Sequence, residues 1–255
     1  MATFILSGQT IDIYEGDGLD PFARTGATSI EQLVRAGATG VILGHSEVGD
    51  SPEIVHRKLG TIANKDVLPF TTVLVGESWE EYEGKSSEAV AKTVSAHLVE
   101  ILADIPKTLV EKLVIGYEPK WGSRGSGRDD MPPPQPETIS VVCHTLRHIL
   151  GNTTTPVIYG GRSTPERTEE ILKDENVEGL ILGSACKSVE KTMGIVQSML
   201  KVRESKRKIV HANFKAYNLA DSYETYVQAL HELDDTFVVY LSPPDTDIRT
   251  VKALL

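Results

Sequence analysis

The sequence predicts an α/β fold built on one parallel sheet, either closed into a (β/α)₈ barrel or left open and doubly wound. Two observations carry this. Eight short, β-rich apolar runs alternate with helical segments along 255 residues. The runs also lack polar alternation, as strands buried on both faces do. The length suits one α/β barrel and is too short for two.

The runs are Thr3–Ser7, Gly40–Leu43, Phe70–Val75, Leu113–Tyr117, Val157–Tyr159, Leu180–Leu182, Ile209–Ala212 and Phe237–Leu241. Helical segments lie between them. Ser29–Arg35 follows a Thr-Gly turn, and Ser51-Pro52-Glu53 opens the next with a capping serine and a proline at the first helical position. Ser87–Leu102 has apolar residues at helical spacing. Pro136–Leu150 stops at Gly151. Thr164-Pro165-Glu166 opens another helix, and Val189–Val202, Asp221–Leu233 and Asp245–Leu255 complete the set. No linker or charge run divides the chain, so residues 1–255 read as a single domain.

Hydrophobic residues make up 40% and charged residues 24% of the chain, a composition compatible with a packed core. The formal net charge of -10 disfavours broad contact with nucleic acid or anionic lipid. It leaves open a small anionic substrate held by local donors. No apolar stretch reaches the roughly 18 residues of a membrane span, and the N-terminus lacks the features of a signal peptide. Cys143 and Cys186 are too few for a disulfide scaffold and fit a reducing cytosol, so a cytoplasmic location is expected. The basic stretch Arg203–Lys208 has no interleaved aromatics and reads as a connector.

Four strand ends carry polar residues that packing alone does not require. Leu43-Gly44-His45-Ser46-Glu47 places a histidine just past a buried strand, at the rim where barrels keep their active sites. Tyr117-Glu118-Pro119-Lys120-Trp121 leads a carboxylate into the glycine-rich segment Gly122–Gly127. Ala212-Asn213-Phe214-Lys215 sets an amide and an amine two residues apart, on one face of an extended segment. Tyr159-Gly160-Gly161-Arg162 and Leu182-Gly183-Ser184 are glycine turns able to offer backbone N–H groups to an anion. The glycine-rich run fits neither a Walker A loop nor a dinucleotide fingerprint. Val48 stands where a nucleophile elbow needs glycine. No group has zinc-ligand spacing, so neither metal nor cofactor is expected. His56, His97, His144 and His148 fall within helices and read as surface or packing residues.

Taken together, Gly-His-Ser-Glu, Tyr-Glu-Pro-x-Trp with its glycine-rich loop, Tyr-Gly-Gly and Asn-x-Lys resemble the signature segments of the triosephosphate isomerase family. Val73-Leu74-Val75-Gly76-Glu77 is similar to the family's segment after its fifth strand. The resemblance implies a closed (β/α)₈ barrel with its segments in circularly permuted order. Asn-x-Lys, which the family carries on its first strand, lies here at residues 213–215, and the chain opens on what resembles the third strand. The cut then falls on the N-terminal face of the barrel, away from the βα loops, where new termini are tolerated.

The resemblance also implies roles. Glu118 matches the general base, aimed by Pro119. His45 matches the neutral electrophile, with its charge suppressed by a helix N-terminus. Lys215 matches the cation beside the developing enediolate, Asn213 a polar contact to the same site, and Glu47 a carboxylate that supports the lysine. Pro119–Gly127, including Gly125, matches a lid over the substrate. Gly161, Gly183 and Ser184 match the phosphate grip. Asp17–Ser29, with Thr25 near its tip, resembles the loop through which the family forms homodimers.

The chain departs from the family at several points. Arg162 replaces a phosphate-holding serine, Ser184 replaces a glycine, and the lid is one residue longer. Val48-Gly49 replaces two arginines, and Leu74 takes the place of a buried cysteine. The implied reaction is interconversion of glyceraldehyde 3-phosphate and dihydroxyacetone phosphate. Isomerisation of another small sugar phosphate, such as a tetrulose phosphate, is a second reading. A weakly active barrel that binds a phosphate ligand or a protein is the third.

Overall fold

A computed structural model describes residues 1–13, 28–122, 130–151, 154–203 and 206–255. Eight strands close into one all-parallel barrel in sequence order. They are β1 Thr3–Gly8, β2 Gly40–Leu43, β3 Phe70–Val75, β4 Val114–Tyr117, β5 Val157–Gly160, β6 Gly179–Leu182, β7 Lys208–Asn213 and β8 Phe237–Ser242. The ring closes where Thr3–Leu6 of β1 pairs with Val238–Leu241 of β8. Closure decides between the two architectures that the strand pattern left open.

Period-two alternation explains why the strands lack a polar face. Ile5, Ile42, Leu74, Val114, Ile158, Ile181, Ile209, Val238 and Tyr240 fill the barrel, and every strand contributes. The alternate positions, such as Val41, Val73, Ile115, Val157, Leu180, Val210 and Val239, pack outward against the helices. Both sheet faces are therefore apolar.

The helices among the described residues are α1 Ile30–Ala36, α2 Pro52–Lys65, α3 Trp79–Tyr82, α4 Ser87–Leu102, α5 Lys107–Val110, α6 Pro136–Leu150, α7 Pro165–Ile171, α8 Val189–Val202, α9 Tyr223–His231 and α10 Ile248–Leu254. Ser29, Ser51, Ser78, Ser86, Thr164, Ser188 and Ser222 accept a backbone N–H at the starts of their helices. Each such cap contributes about 1 kcal/mol. The expected α4, α6 and α8 bounds agree with the structure. The expected Asp221–Leu233 helix is shorter at both ends: Ser222 caps its start, and it ends at His231 with Glu232 as the C-cap. Asp245–Leu255 begins as a 3₁₀ turn at Asp245–Asp247. The single-turn helices α3 and α5 are too short for a periodic pattern to reveal.

The basic stretch near Arg203 turns partly inward. Arg203 Nη1 donates to the Val177 carbonyl at 2.7 Å, and Lys208 Nζ donates to the Lys206 carbonyl and Thr236 Oγ1, each at 2.8 Å. These are stem-and-carbonyl contacts at the joint into β7, in keeping with a connector. Cys143 and Cys186 are both buried and unpaired. Among the described residues, no helix is long and apolar enough to cross a membrane.

Candidate active site

The polar residues flagged at strand ends converge at the C-terminal mouth of the barrel. His45, Glu118, Gly161, Arg162, Gly183, Ser184, Asn213 and Lys215 line one cleft. Gly125, Arg124 and Thr25 lie outside the described residues, as does most of the Asp17–Ser29 loop. Thr28 and Ser29 anchor the end of that loop: Thr28 donates to Asp245 Oδ2 at 2.6 Å, and Ser29 caps α1.

β2 delivers His45. Gly44 makes the turn with φ of 77°, and a Cβ there would come within 2.4 Å of the Leu74 carbonyl oxygen. The backbone can therefore swing off the strand only at a residue without a side chain. His45 is buried, and its Nδ1 accepts a hydrogen bond from the backbone N–H of Glu47 at 3.1 Å. An N–H donor at Nδ1 requires a lone pair there, so the ring proton sits on Nε2 and the imidazole is neutral. The amide comes from a turn, since α2 starts only at Pro52. This corrects the expected source, a helix N-terminus.

β4 delivers Glu118, also buried. Its Oε1 lies 3.4 Å from His45 Nε2, and its Oε2 accepts from the Ser46 N–H at 3.1 Å. The Glu118 N–H donates to the Val75 carbonyl at 2.8 Å, carrying the β3–β4 ladder one residue beyond the strand. Gly76 makes this possible, because a Cβ there would stand 1.8 Å from the Glu118 carbonyl oxygen. The strand end is thus clamped before Pro119 redirects the chain.

β7 delivers Asn213 and Lys215. Asn213 Oδ1 accepts from the Lys215 N–H at 3.1 Å and from Gln9 Nε2 at 3.4 Å. Lys215 has φ of 49°, a left-handed conformation that costs a residue with a Cβ on the order of 1–3 kcal/mol. Its Nζ pairs with Glu47 Oε1 at 2.5 Å. The His45 turn and the Lys215 ammonium are therefore joined through one carboxylate. Glu47 lies in the turn before α2, not in a helix's first turn. Arg162 Nε donates to the Gly122 carbonyl at 3.3 Å, spanning from the β5 turn to the segment after Trp121.

Several residues escaped sequence reasoning. Gln9, just past β1, also donates to the Ser242 carbonyl at 3.1 Å and ties three strand ends together. Tyr217 lines the cleft, with Lys187 Nζ 4.5 Å and Lys215 Nζ 5.8 Å from its ring centre. His211 lies inside the barrel, stacked on Tyr240, with Nε2 2.8 Å from Ser242 Oγ and Nδ1 3.3 Å from Thr72 Oγ1. Period two gives a signal for it, since Ile209, His211 and Asn213 alternate onto one face. Burial pushes its pKa down to about 3. Glu77 is also fully buried. It accepts from Tyr117 Oη at 3.2 Å and Trp121 Nε1 at 3.1 Å, and burial raises its carboxyl to about 7.

Comparison with known proteins agrees with this geometry. The profile described as triosephosphate isomerase matches residues 12–199. The chain is 30% identical over 184 residues to the triosephosphate isomerase of Mycoplasmoides gallisepticum, spanning 69% of this chain and 70% of that protein. It is 30% identical over 184 residues to that of Dictyoglomus thermophilum, spanning 69% and 71%. It is 32% identical over 187 residues to that of Aquifex aeolicus, again spanning 69% and 71%. Carrying a closed parallel barrel and this breadth of similarity, the chain belongs to the triosephosphate isomerase family.

Proposed function

We propose that this cleft interconverts glyceraldehyde 3-phosphate and dihydroxyacetone phosphate by moving one proton between adjacent carbons. The observation that carries the reading is the pairing of a buried carboxylate with a neutral imidazole whose Nε2–H faces it. Glu118 removes the proton from the carbon beside the carbonyl and returns it to the neighbouring carbon, so no net proton is lost. His45 Nε2–H donates to the carbonyl oxygen and moves protons between the two oxygens. Lys215, held by Glu47, stabilises the negative charge of the enediolate, and Asn213 contacts the same site. The backbone at Gly161, Gly183 and Ser184 holds the phosphate, with Arg162 as an added cation. A carboxylate clamped beside a histidine has no use in a barrel that only binds.

The test is a coupled triose-phosphate assay on the purified chain. Turnover in both directions supports the assignment, and none in either direction rejects it.

Two finer readings go with this one. The first is a permuted segment order. Its support is that the profile match ends at residue 199, while Asn213 and Lys215 arrive afterwards on β7 and complete the same mouth. The second is a cytoplasmic homodimer formed through Asp17–Ser29, supported by the resemblance of that loop to the family's. Sedimentation of the purified chain tests the dimer.

A further inference from the structure

The cleft continues past its two glycine turns. Arg162 and Ser184 line both it and a groove of about 950 Å³ between the start of α7, the 3₁₀ turn Ser184–Lys187 and the first turns of α8. The groove carries three cations, Arg162, Lys187 and Lys191, against one carboxylate, Glu190. A local surplus of positive charge is unusual on a chain of net charge -10, and it lies beside the cleft.

Lys187 and Lys191 are both exposed, and among the described residues neither forms an ion pair. Lys187 instead rests on the ring of Tyr217, which borders the cleft and also lies near Lys215. One of the groove's cations is thus braced against the wall of the cleft. At the junction, Arg162 donates to the Gly122 carbonyl, and Ser184 lines both spaces.

We propose that this groove is a subsite for the phosphate of a sugar phosphate longer than a triose, so that the cleft also isomerises four-carbon aldose and ketose phosphates. The inference rests on the isomerase reading above. With the reacting carbons held at Glu118 and His45, each added carbon moves the phosphate outward by on the order of 1.5 Å. It leaves the glycine turns and, past Arg162, approaches Lys187 and Lys191. A cation met there forms a charge-assisted hydrogen bond that a triose phosphate, seated deeper, does not reach.

The test compares kcat/KM for glyceraldehyde 3-phosphate and erythrose 4-phosphate in the wild type and in the K187M/K191M double variant. Both positions are exposed, so folding is retained, and circular dichroism checks this. The wild type is expected to isomerise both substrates. The double variant should lower the four-carbon to three-carbon ratio about tenfold, through KM. Turnover of the triose alone overturns the groove and leaves the isomerase reading intact. An unchanged ratio in the double variant also overturns it. Turnover of neither substrate overturns both.

Discussion

His45 Nε2 stands 3.4 Å from Glu118 Oε1, while the far side of each group is fixed by a backbone amide of one turn: Glu47 N–H on His45 Nδ1 and Ser46 N–H on Glu118 Oε2. The turn after β2 therefore sets both the tautomer of His45 and the position of the Glu118 carboxylate.

Glu118→Gln keeps an acceptor for the Ser46 amide but removes the base. Its kcat should fall by about 10²–10⁴, while calorimetric affinity for dihydroxyacetone phosphate changes little. Near-wild-type turnover would sink the proposed role of Glu118.

Glu47→Gln loosens Lys215. The Glu47 side chain is 46% exposed, so solvent screens the pair, and its contribution is about 1 kcal/mol despite the short contact. A several-fold rise in KM that shrinks at high salt is expected, with Lys215→Met much more damaging. Steady-state kinetics at two ionic strengths checks this; equal losses in both variants would show that Glu47 does more than position the ammonium.

Glu77 and His211 give opposite pH dependences. The carboxyl of Glu77 is raised from 4.5 to about 7, so folding favours its protonated form. Its stabilising effect is complete below pH 4.5 and is lost as pH rises to about 7, a change of roughly 3 kcal/mol. The imidazole of His211 is lowered from 6.5 to about 3, so folding favours its neutral form. Stability is then complete above pH 6.5 and is lost as pH falls towards 3, by at most roughly 5 kcal/mol. Between pH 4.5 and 6.5 the two slopes oppose each other. Denaturant melts across that window should therefore show stability rising with pH in Glu77→Gln and falling with pH in His211→Gln. Parallel profiles in the two variants would contradict the opposed signs.

Gly76→Ala forces the β3 and β4 ends apart, because the new methyl would meet the Glu118 carbonyl. Overpacking of this kind costs roughly 1–3 kcal/mol, and it displaces the base as well. Both the melting temperature and kcat should drop. An unaffected kcat would show that the base does not depend on this contact.

All eight strands were legible because each is a short apolar run between turn-formers, and their ends differ from expectation by one residue at most. His45, Glu118, Asn213 and Lys215 were legible because polar residues at the ends of buried strands have no packing reason to be there. Tyr217 was not, since a tyrosine in a loop carries no periodic mark. Nor was Lys187, whose approach to Tyr217 joins two loops distant in the chain.

By itself, then, the sequence determined the alternation of buried strands and capped helices, and which side chains stand at strand ends. Hydrophobic period and capping chemistry are local properties that neighbouring residues already encode. Tertiary structure alone decided that the sheet closes, that the Glu47 amide fixes the His45 tautomer, and that a basic groove lies beside the cleft. Those depend on distances between elements far apart in the chain, which only the closed barrel sets.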